Sequence, residues 1–283
     1  MIRPDLHLHT TASDGRCDPY QTARLVQRAD VTLFSVTDHD TLSALPETAE
    51  WAYERGLAFI PGVEISTEGD DEVHILGYGV NPQDPVLNRF FQEMAEQRVQ
   101  RVRRMGEKLA ELGMPLPLDE IIQQAPSSVG RPHLGRALAE RGYAADVSQA
   151  FSRFLGVGMP AYVPRQTPTA LEAIALLRSR GAVPVLAHPG LILWPEETLL
   201  ARLDAWQQAG LRGLEVYHPA NRGRYAFWDQ EARKRGLLVT GGSDFHGDHG
   251  SRHGQIGETA GEWPTALMDG WALFRAVQKN NRQ

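Results

Sequence analysis

The 283-residue chain contains a single cysteine, Cys17, and that scarcity removes two kinds of protein from consideration. No disulfide can form within the chain, and no thiolate-rich zinc site can be assembled. Long apolar runs are missing too: nothing approaches the roughly 20 consecutive apolar residues that span a bilayer, so no membrane association is expected. Positive charge is in deficit, with 29 Lys and Arg against 35 Asp and Glu and a formal net charge of −6. A surface that is basic all over is therefore excluded, and any anion site must be local. Repeats and low-complexity tracts are absent, while 42% hydrophobic and 23% charged residues suit a packed globular protein. The first predicted strand begins close behind Met1, which leaves no room for a signal peptide; a cytoplasmic location is expected.

Histidine, by contrast, is placed with a pattern. Asp5-Leu6-His7-Leu8-His9-Thr10 alternates polar and apolar, so a strand here points His7 and His9 to one side, where two imidazoles can share a metal ion. Asp14 follows in a Gly-containing turn, and Asp18-Pro19 reads as an N-cap and first helical residue. Residues 31–36 form a β-rich run ending in Thr37-Asp38-His39-Asp40, and a helix through Trp51 stops at Gly56. Residues 57–64 read as one strand ending on Glu64, and residues 72–78 alternate around His74. Strand, polar residue, helix, repeated, predicts parallel βα units. From 82 to 164 helical periodicity takes over, with a long helix over 90–112 and shorter ones over 118–124, 132–141 and 146–155. The βα rhythm resumes with a capping box at Thr169–Glu172, then strands ending on His188, on His218 and on Asp244-Phe245-His246. A last helix is predicted over 264–278. The reading is an α/β protein of about seven barrel-type strands, residues 1–81 and 165–283, carrying a helical insertion over 82–164.

In barrels of parallel strands, functional residues collect at the carboxyl ends of the strands. His7, His9, Asp14, His39, Glu64, His74, His188, Asp244 and His246 all fall at such positions. Any one of these histidines is as well explained by a capped loop or a core hydrogen bond; their recurrence at one strand end after another is not. Six imidazoles and three carboxylates without a thiol suit Zn²⁺, Mn²⁺ or Fe²⁺ better than Ca²⁺, which prefers oxygen alone.

These residues, in the order His7-Leu8-His9 with Asp14, Thr37-Asp38-His39, Pro61-Gly62-Val63-Glu64, His74, Ala187-His188-Pro189 and Ser243-Asp244-Phe245-His246, resemble the successive motifs of the PHP (polymerase and histidinol phosphatase) family. The resemblance implies a distorted (β/α)7 barrel that holds up to three metals. It implies one ion on His7, His9, Glu64 and Asp244, a second bridged by Glu64 and held by His74 and His188, and a third on Asp14, His39 and His246. The expected cofactors are two to three divalent ions, manganese first, with zinc or iron as alternatives. Three such ions against three carboxylates leave a surplus of three positive charges, matched by one hydroxide and the dianion of a phosphomonoester. Direct in-line attack by a metal-activated hydroxide on a terminal phosphate, without a covalent intermediate, is the expected chemistry, with Asp244 in the reacting centre.

The substrate side is drawn from fewer residues. Gly130-Arg131-Pro132-His133 lies where a loop becomes a helix, so Arg131 can grip a phosphate beside a helix N-terminus, though capping explains it too. His218 ends a strand outside the nine and is a candidate to protonate a leaving oxygen or bind phosphate; Arg165 is a further phosphate candidate. The arginines at 98, 101, 103 and 104, with Lys108, read as a solvated helix face, and His249 and His253 as exposed loop residues. Asp38 and Asp40 are candidates either to orient His39 or to shape the turn around it, and Cys17 is a small loop residue. The 130–133, 161–164 and 241–247 motifs are similar to the bacterial 3′,5′-nucleoside bisphosphate phosphatase branch, which includes members that trim short RNA from the 5′ end. That likeness implies an insertion that caps the barrel mouth and holds a second phosphate; the substrate-binding candidates are Arg131, His133, Arg165 and His218. The expected activity is phosphate release from a 3′,5′-nucleoside bisphosphate. The alternatives are a 5′→3′ exonuclease on short oligoribonucleotides, a histidinol-phosphate phosphatase, and a metal-binding proofreading module of a polymerase assembly. The expected partner is a small nucleotide or a short RNA, with no required protein partner.

Overall fold

A computed structural model of the protein describes residues 3–68, 73–124, 129–247 and 253–280, so His249 lies outside the described residues. In chain order the elements are β1 (Pro4–Asp5), α1 (Pro19–Arg28), β2 (Leu33–Phe34), α2 (Leu45–Glu54), β3 (Ala58–Phe59), β4 (Gly62–Thr67) and β5 (Val73–Tyr78). Then come α3 (Pro85–Glu111), α4 (Leu118–Gln124), α5 (Arg131–Glu140), α6 (Val147–Ala150) and a π-helical turn over Phe151–Leu155. The chain continues through α7 (Ala170–Ser179), β6 (Val183–Leu186), α8 (Glu196–Ala209), β7 (Gly213–Tyr217), α9 (Tyr225–Lys234), β8 (Leu238–Gly241) and α10 (Ala266–Asn280). It forms two compact units, one of residues 1–88 with 168–283 and the other of residues 89–167.

The first unit is mixed α/β. Its strands form two sheets, a parallel one in the order β1-β2-β3 and a five-stranded one in the order β4-β5-β6-β7-β8. No closed sheet is formed among the described residues; the two sheets are linked by single bridges, Leu8 to Phe245 and His39 to Glu64. The expectation of parallel βα units throughout needs a correction. β5 runs antiparallel to both β4 and β6, and only β6-β7-β8 resume the parallel course. The physical reason is the short connection after Thr67, because a parallel neighbour needs a crossover of a dozen or more residues. The predicted strand over 57–64 is also split in two, at Ile60-Pro61, where proline offers no N–H to a ladder.

Local signals account for the helices that frame these strands. Asp18 accepts the Gln21 N–H and Gln21 answers at the Asp18 N–H, a complete capping box for α1. Thr169 and Glu172 do the same for α7. α3 starts five residues before the predicted 90, because Asp84 caps it through the N–H groups of Val86 and Leu87 while also pairing with Arg180 at 2.8 Å. The first turn of α3 therefore belongs to the first unit, which moves the boundary from 82 to 89.

The second unit is helical, with a core of its own that includes Met105, Leu109, Val129, Leu134, Leu138 and Leu155. The solvated arginine face expected along α3 holds for Arg103 and Arg104, which are exposed, but not for Arg101. Arg101 is buried and donates Nε–H to the Val163 carbonyl at 2.7 Å, so it ties α3 to the chain leaving the unit. Among the described residues, no helix is long and apolar enough to cross a membrane.

The approach of β8 to β1 is close enough to be tested. Leu6 donates its N–H to Gly241, and a Cβ on Gly242 would stand 2.4 Å from the Cβ and 2.5 Å from the backbone nitrogen of His7. Backbone cannot move aside as a flexible side chain can, and overpacking of this kind costs about 1–3 kcal/mol. Gly242→Ala should lower the thermal unfolding midpoint by several degrees and displace His7. Calorimetry and metal titration of the variant check both.

Candidate metal centre

The nine residues named from the sequence as ligands are brought together by the first unit. His7 and His9 follow β1, and their Nε2 atoms face one another at 3.1 Å. Glu64 lies within β4, a strand buried along its whole length. Its Oε2 is 3.1 Å from His7 and 3.2 Å from His9, and Asp244 Oδ1, just past β8, is 3.3 and 3.1 Å from the same two nitrogens. These spacings test whether an ion fits. Donors held about 2.0–2.2 Å from one cation lie roughly 3.0–3.5 Å from each other, which is the spacing seen here. Neutral imidazoles and carboxylates at such distances are otherwise a poor arrangement, since lone pairs face lone pairs.

Two further groupings adjoin the first. Glu64 Oε1 is 2.9 Å from His74 Nδ1 and 2.8 Å from His188 Nε2. The reversal of β5 explains His74: antiparallel register sets it opposite Ser66, two residues beyond Glu64. Asp14 stands 3.3 Å from His246 Nε2 and 3.9 Å from His39 Nε2, and His39 Nδ1 in turn lies 3.3 Å from Glu64. These donors fit divalent cations. The ligand atoms of His7, His9, Glu64 and Asp244 converge closely enough to hold an ion, as do those of His9, Asp14, His39 and His246 and those of His39, Glu64 and His74, with His188 adjoining through Glu64.

Sequence reasoning missed Glu215, which sits in the middle of β7 and is fully buried. Its Oε1 accepts from His7 Nδ1 at 3.0 Å, which fixes the tautomer so that Nε2 faces the cluster. Its Oε2 accepts the backbone N–H of His188 at 2.8 Å and holds that residue at a φ of 23°. A carboxylate inside the apolar run Gly213-Leu214-Glu215-Val216-Tyr217 was the signal available. Strain of the same kind marks Asp40 and Asp244, both at positive φ, and it gathers where the loops must turn donors inward.

Of the two readings open for Asp38, the turn role is the one the contacts support. Asp38 accepts from the Thr10 N–H and hydroxyl, both at 2.7 Å, and from the Ser13 hydroxyl at 2.6 Å, so it shapes the turn that carries Asp14. Asp40 likewise accepts the Ser66 N–H. Burial pushes the Asp5 carboxyl up to about 6, and it accepts the N–H groups of Ser243 and Gly257.

His218 is fully buried, and both ring nitrogens are engaged: Nδ1 accepts the Ala220 N–H at 3.0 Å and Nε2 lies 3.3 Å from Asp244 Oδ2. Those contacts set His218 against the Asp244 side chain. His253, expected to be exposed, is instead partly buried, with Nδ1 3.1 Å from Asp244 Oδ2 and its ring 4.1 Å from that of His246. Arg131, His133 and Arg165 belong to the second unit. Arg131 opens α5 with its guanidinium 5.6 Å from the Phe151 ring centre, and His133 Nδ1 accepts the Gly130 N–H to cap the same helix.

Electrostatics within the cluster follow from its crowding. Burial pulls the His9 imidazolium down, but Asp244 and Glu64 outweigh it and push the pKa up to about 10. His7 is raised too, against burial, by Glu215, Glu64 and Asp244. Burial likewise opposes the charge on Glu64, yet the surrounding imidazoles of His39, His7, His74 and His188 hold it well below the usual carboxylate range.

Comparison with known proteins places the chain among phosphoesterases. It is 33% identical over 255 residues to a 3′,5′-nucleoside bisphosphate phosphatase of Chromobacterium violaceum, across 87% of this chain and 88% of that one. It is 37% identical over 250 residues to the 5′-3′ exoribonuclease Rnm of Salmonella typhimurium, across 86% of this chain and 84% of that one. A solved structure from Bifidobacterium adolescentis, described as a metal-dependent phosphoesterase, superposes with a TM-score of 0.75 at 30% identity, covering 92% and 94% of the two chains. No protein-family profile matches the chain.

Two outcomes are expected. In the metal-free protein His9 keeps its proton up to about pH 10, so an ion must displace protons from the cluster. Metal uptake at pH 7.5 should release protons, and affinity should fall as pH drops from 8 to 6; calorimetry in buffers of differing ionisation enthalpy reads both. Glu215→Gln should weaken metal affinity roughly 10–100-fold while leaving the fold intact, as loss of a carboxylate behind a ligating histidine does. Equilibrium dialysis with elemental analysis measures it.

Proposed function

Because the chain belongs to the PHP family of metal-dependent phosphoesterases and is a hydrolase of phosphoric esters, we propose that it removes a terminal phosphate from a 3′,5′-nucleoside bisphosphate such as adenosine 3′,5′-bisphosphate. The observation that carries this reading is the composition of the buried cluster. Asp14, Glu64 and Asp244 are the carboxylates that face the cations, while Glu215 stands behind His7. Three divalent ions would leave a surplus of three positive charges, the sum of one hydroxide and a phosphomonoester dianion. A diester, with a single negative charge, balances such a centre less well. We take three ions as the active state and manganese as the first metal to test. When bound, such ions polarise phosphoryl oxygens and bring the pKa of water towards about 7.

The protein's own part is orientation. Glu215 aims His7, Asp38 fixes the Asp14 turn, and His218 with Asp244 braces the end of β8. Arg131, at the first turn of α5, is the proposed grip for the second phosphate, with His133 and Arg165 assisting it. The second unit, residues 89–167, would then contribute to the choice of substrate. A guanidinium beside the N–H groups of a helix N-terminus is well suited to a phosphate.

A second reading, 5′→3′ hydrolysis of short oligoribonucleotides, is favoured by the 37% identity to the Salmonella exoribonuclease. Phosphate and nucleotide release from adenosine 3′,5′-bisphosphate, AMP and a short 5′-phosphorylated RNA, assayed side by side, separates the two. The phosphatase reading expects the bisphosphate to outpace AMP at least tenfold; equal rates would sink the two-phosphate site, and fastest release of mononucleotides from RNA would favour the exonuclease. Arg131→Ala should lower kcat/KM for the bisphosphate roughly 10–100-fold, the usual worth of a charge-assisted hydrogen bond, and leave a generic aryl phosphate nearly untouched. Steady-state kinetics on the two substrates checks this.

A further inference from the structure

His188 is held differently from His7. Glu215 turns the His7 ring through its Nδ1, whereas Nδ1 of His188 is buried and has no hydrogen-bond partner among the described residues. The place where the His188 imidazole meets Glu64, at 2.8 Å, is therefore set by the backbone that carries it. That backbone stands at a φ of 23°, a conformation that a residue with a side chain keeps only where its surroundings impose it.

The imposing groups come from β7 and the turn behind it. Glu215 Oε2 accepts the His188 N–H at 2.8 Å, and two residues on the Gly190 N–H donates to Asn221 Oδ1, also at 2.8 Å. Asn221 is buried in the short 3₁₀ turn Pro219–Asn221 that follows β7. Its Nδ2 reaches back to the strand and donates to the carbonyls of Glu215 at 3.0 Å and Val216 at 2.9 Å. Only an amide nitrogen can make those two donations, so they turn the side-chain oxygen towards Gly190. The absence of a side chain at 190 permits the approach, because a Cβ there would stand 2.5 Å from the Ala220 carbonyl oxygen and 2.6 Å from Asn221 Oδ1. A hydrogen bond at 188 fixes a point of the turn; a second at 190 fixes its direction.

We propose that Asn221 is a positioning residue of the metal centre: by tying Gly190 to β7 it sets the His188 imidazole against Glu64 for metal binding. The inference depends on the metal centre and is independent of which phosphoric ester is the substrate. Asn221 touches none of the nine donor side chains in this role; it acts on one of them through the backbone.

The test is Mn²⁺ binding, measured by equilibrium dialysis with elemental analysis, with thermal unfolding of the metal-free protein alongside. Asn221→Ala should weaken Mn²⁺ binding about tenfold, the lower end of what loss of a group behind a ligand costs. In a His188→Ala background the same substitution should change affinity by less than about twofold, because the residue that it positions is gone. Gly190→Ala removes no polar group and instead crowds Ala220 and Asn221; it should show the same pattern, and it carries the test if Asn221→Ala does not fold. Asn221→Asp keeps an acceptor for Gly190 but sets a carboxylate against two carbonyls, so it should lose as much affinity as Ala. Equal losses with and without His188 would overturn the proposal, since the side chain would then act on the fold as a whole. Wild-type affinity in Asn221→Ala or in Asn221→Asp would overturn it as well. A wild-type chain that binds no Mn²⁺ would remove the metal centre and this inference with it.

Discussion

The Glu64 carboxylate is the constraint on which this structure turns. It is almost fully buried on β4, and its two oxygens meet five imidazoles: His74 and His188 on one, His7, His9 and His39 on the other. A buried carboxylate without a cation is prohibitively costly, so this arrangement persists only with protons or metal ions among the imidazoles. The chain's path follows from that need. Glu64 forms a bridge with His39 that joins the two sheets, and the reversal of β5 brings His74 beside it. Residues on or just past four separate strands, β1, β2, β5 and β6, are thereby tied to one side chain on β4.

Behind the donors lies a layer of carboxylates that never faces the centre. Glu215 holds the His7 ring and the His188 backbone, Asp38 holds the turn before Asp14, and Asp5 holds the loop around Ser243 and Gly257. Each satisfies N–H or O–H groups that burial would otherwise leave stranded. Together they maintain strained backbone at His188 and Asp244, which turns donors inward where relaxed loops would turn them out. The centre is preorganised by hydrogen bonds that are independent of any ion.

In the proposed reading, chemistry and selectivity fall to different parts of the chain. The α/β unit supplies the donors and so the capacity to hydrolyse a phosphoric ester, which the chain shares with relatives of differing substrate. Choice among phosphates would then rest with the helical unit, which has its own core and Arg131 at the head of α5. Such a division lets one centre serve several substrates by changing loops and an insertion.

The sequence by itself named nine candidate donors that the fold brings together, the helices with capping boxes at Asp18 and Thr169, and a helical segment whose bounds, 82 and 164, lie seven and three residues from those of the compact unit. These are local properties: a side chain's coordination chemistry, a cap and a period are legible without neighbours. Only the tertiary structure decided the antiparallel course of β5, the splitting of the strand at Pro61 and the absence of a closed sheet among the described residues. It alone showed Glu215 behind His7, both nitrogens of His218 occupied, Arg101 buried and His253 drawn onto Asp244. Each of these depends on a partner far away in the chain, 208 residues in the case of His7 and Glu215. No local pattern encodes such a pairing; it exists only once the strands have brought the two side chains to the same buried point.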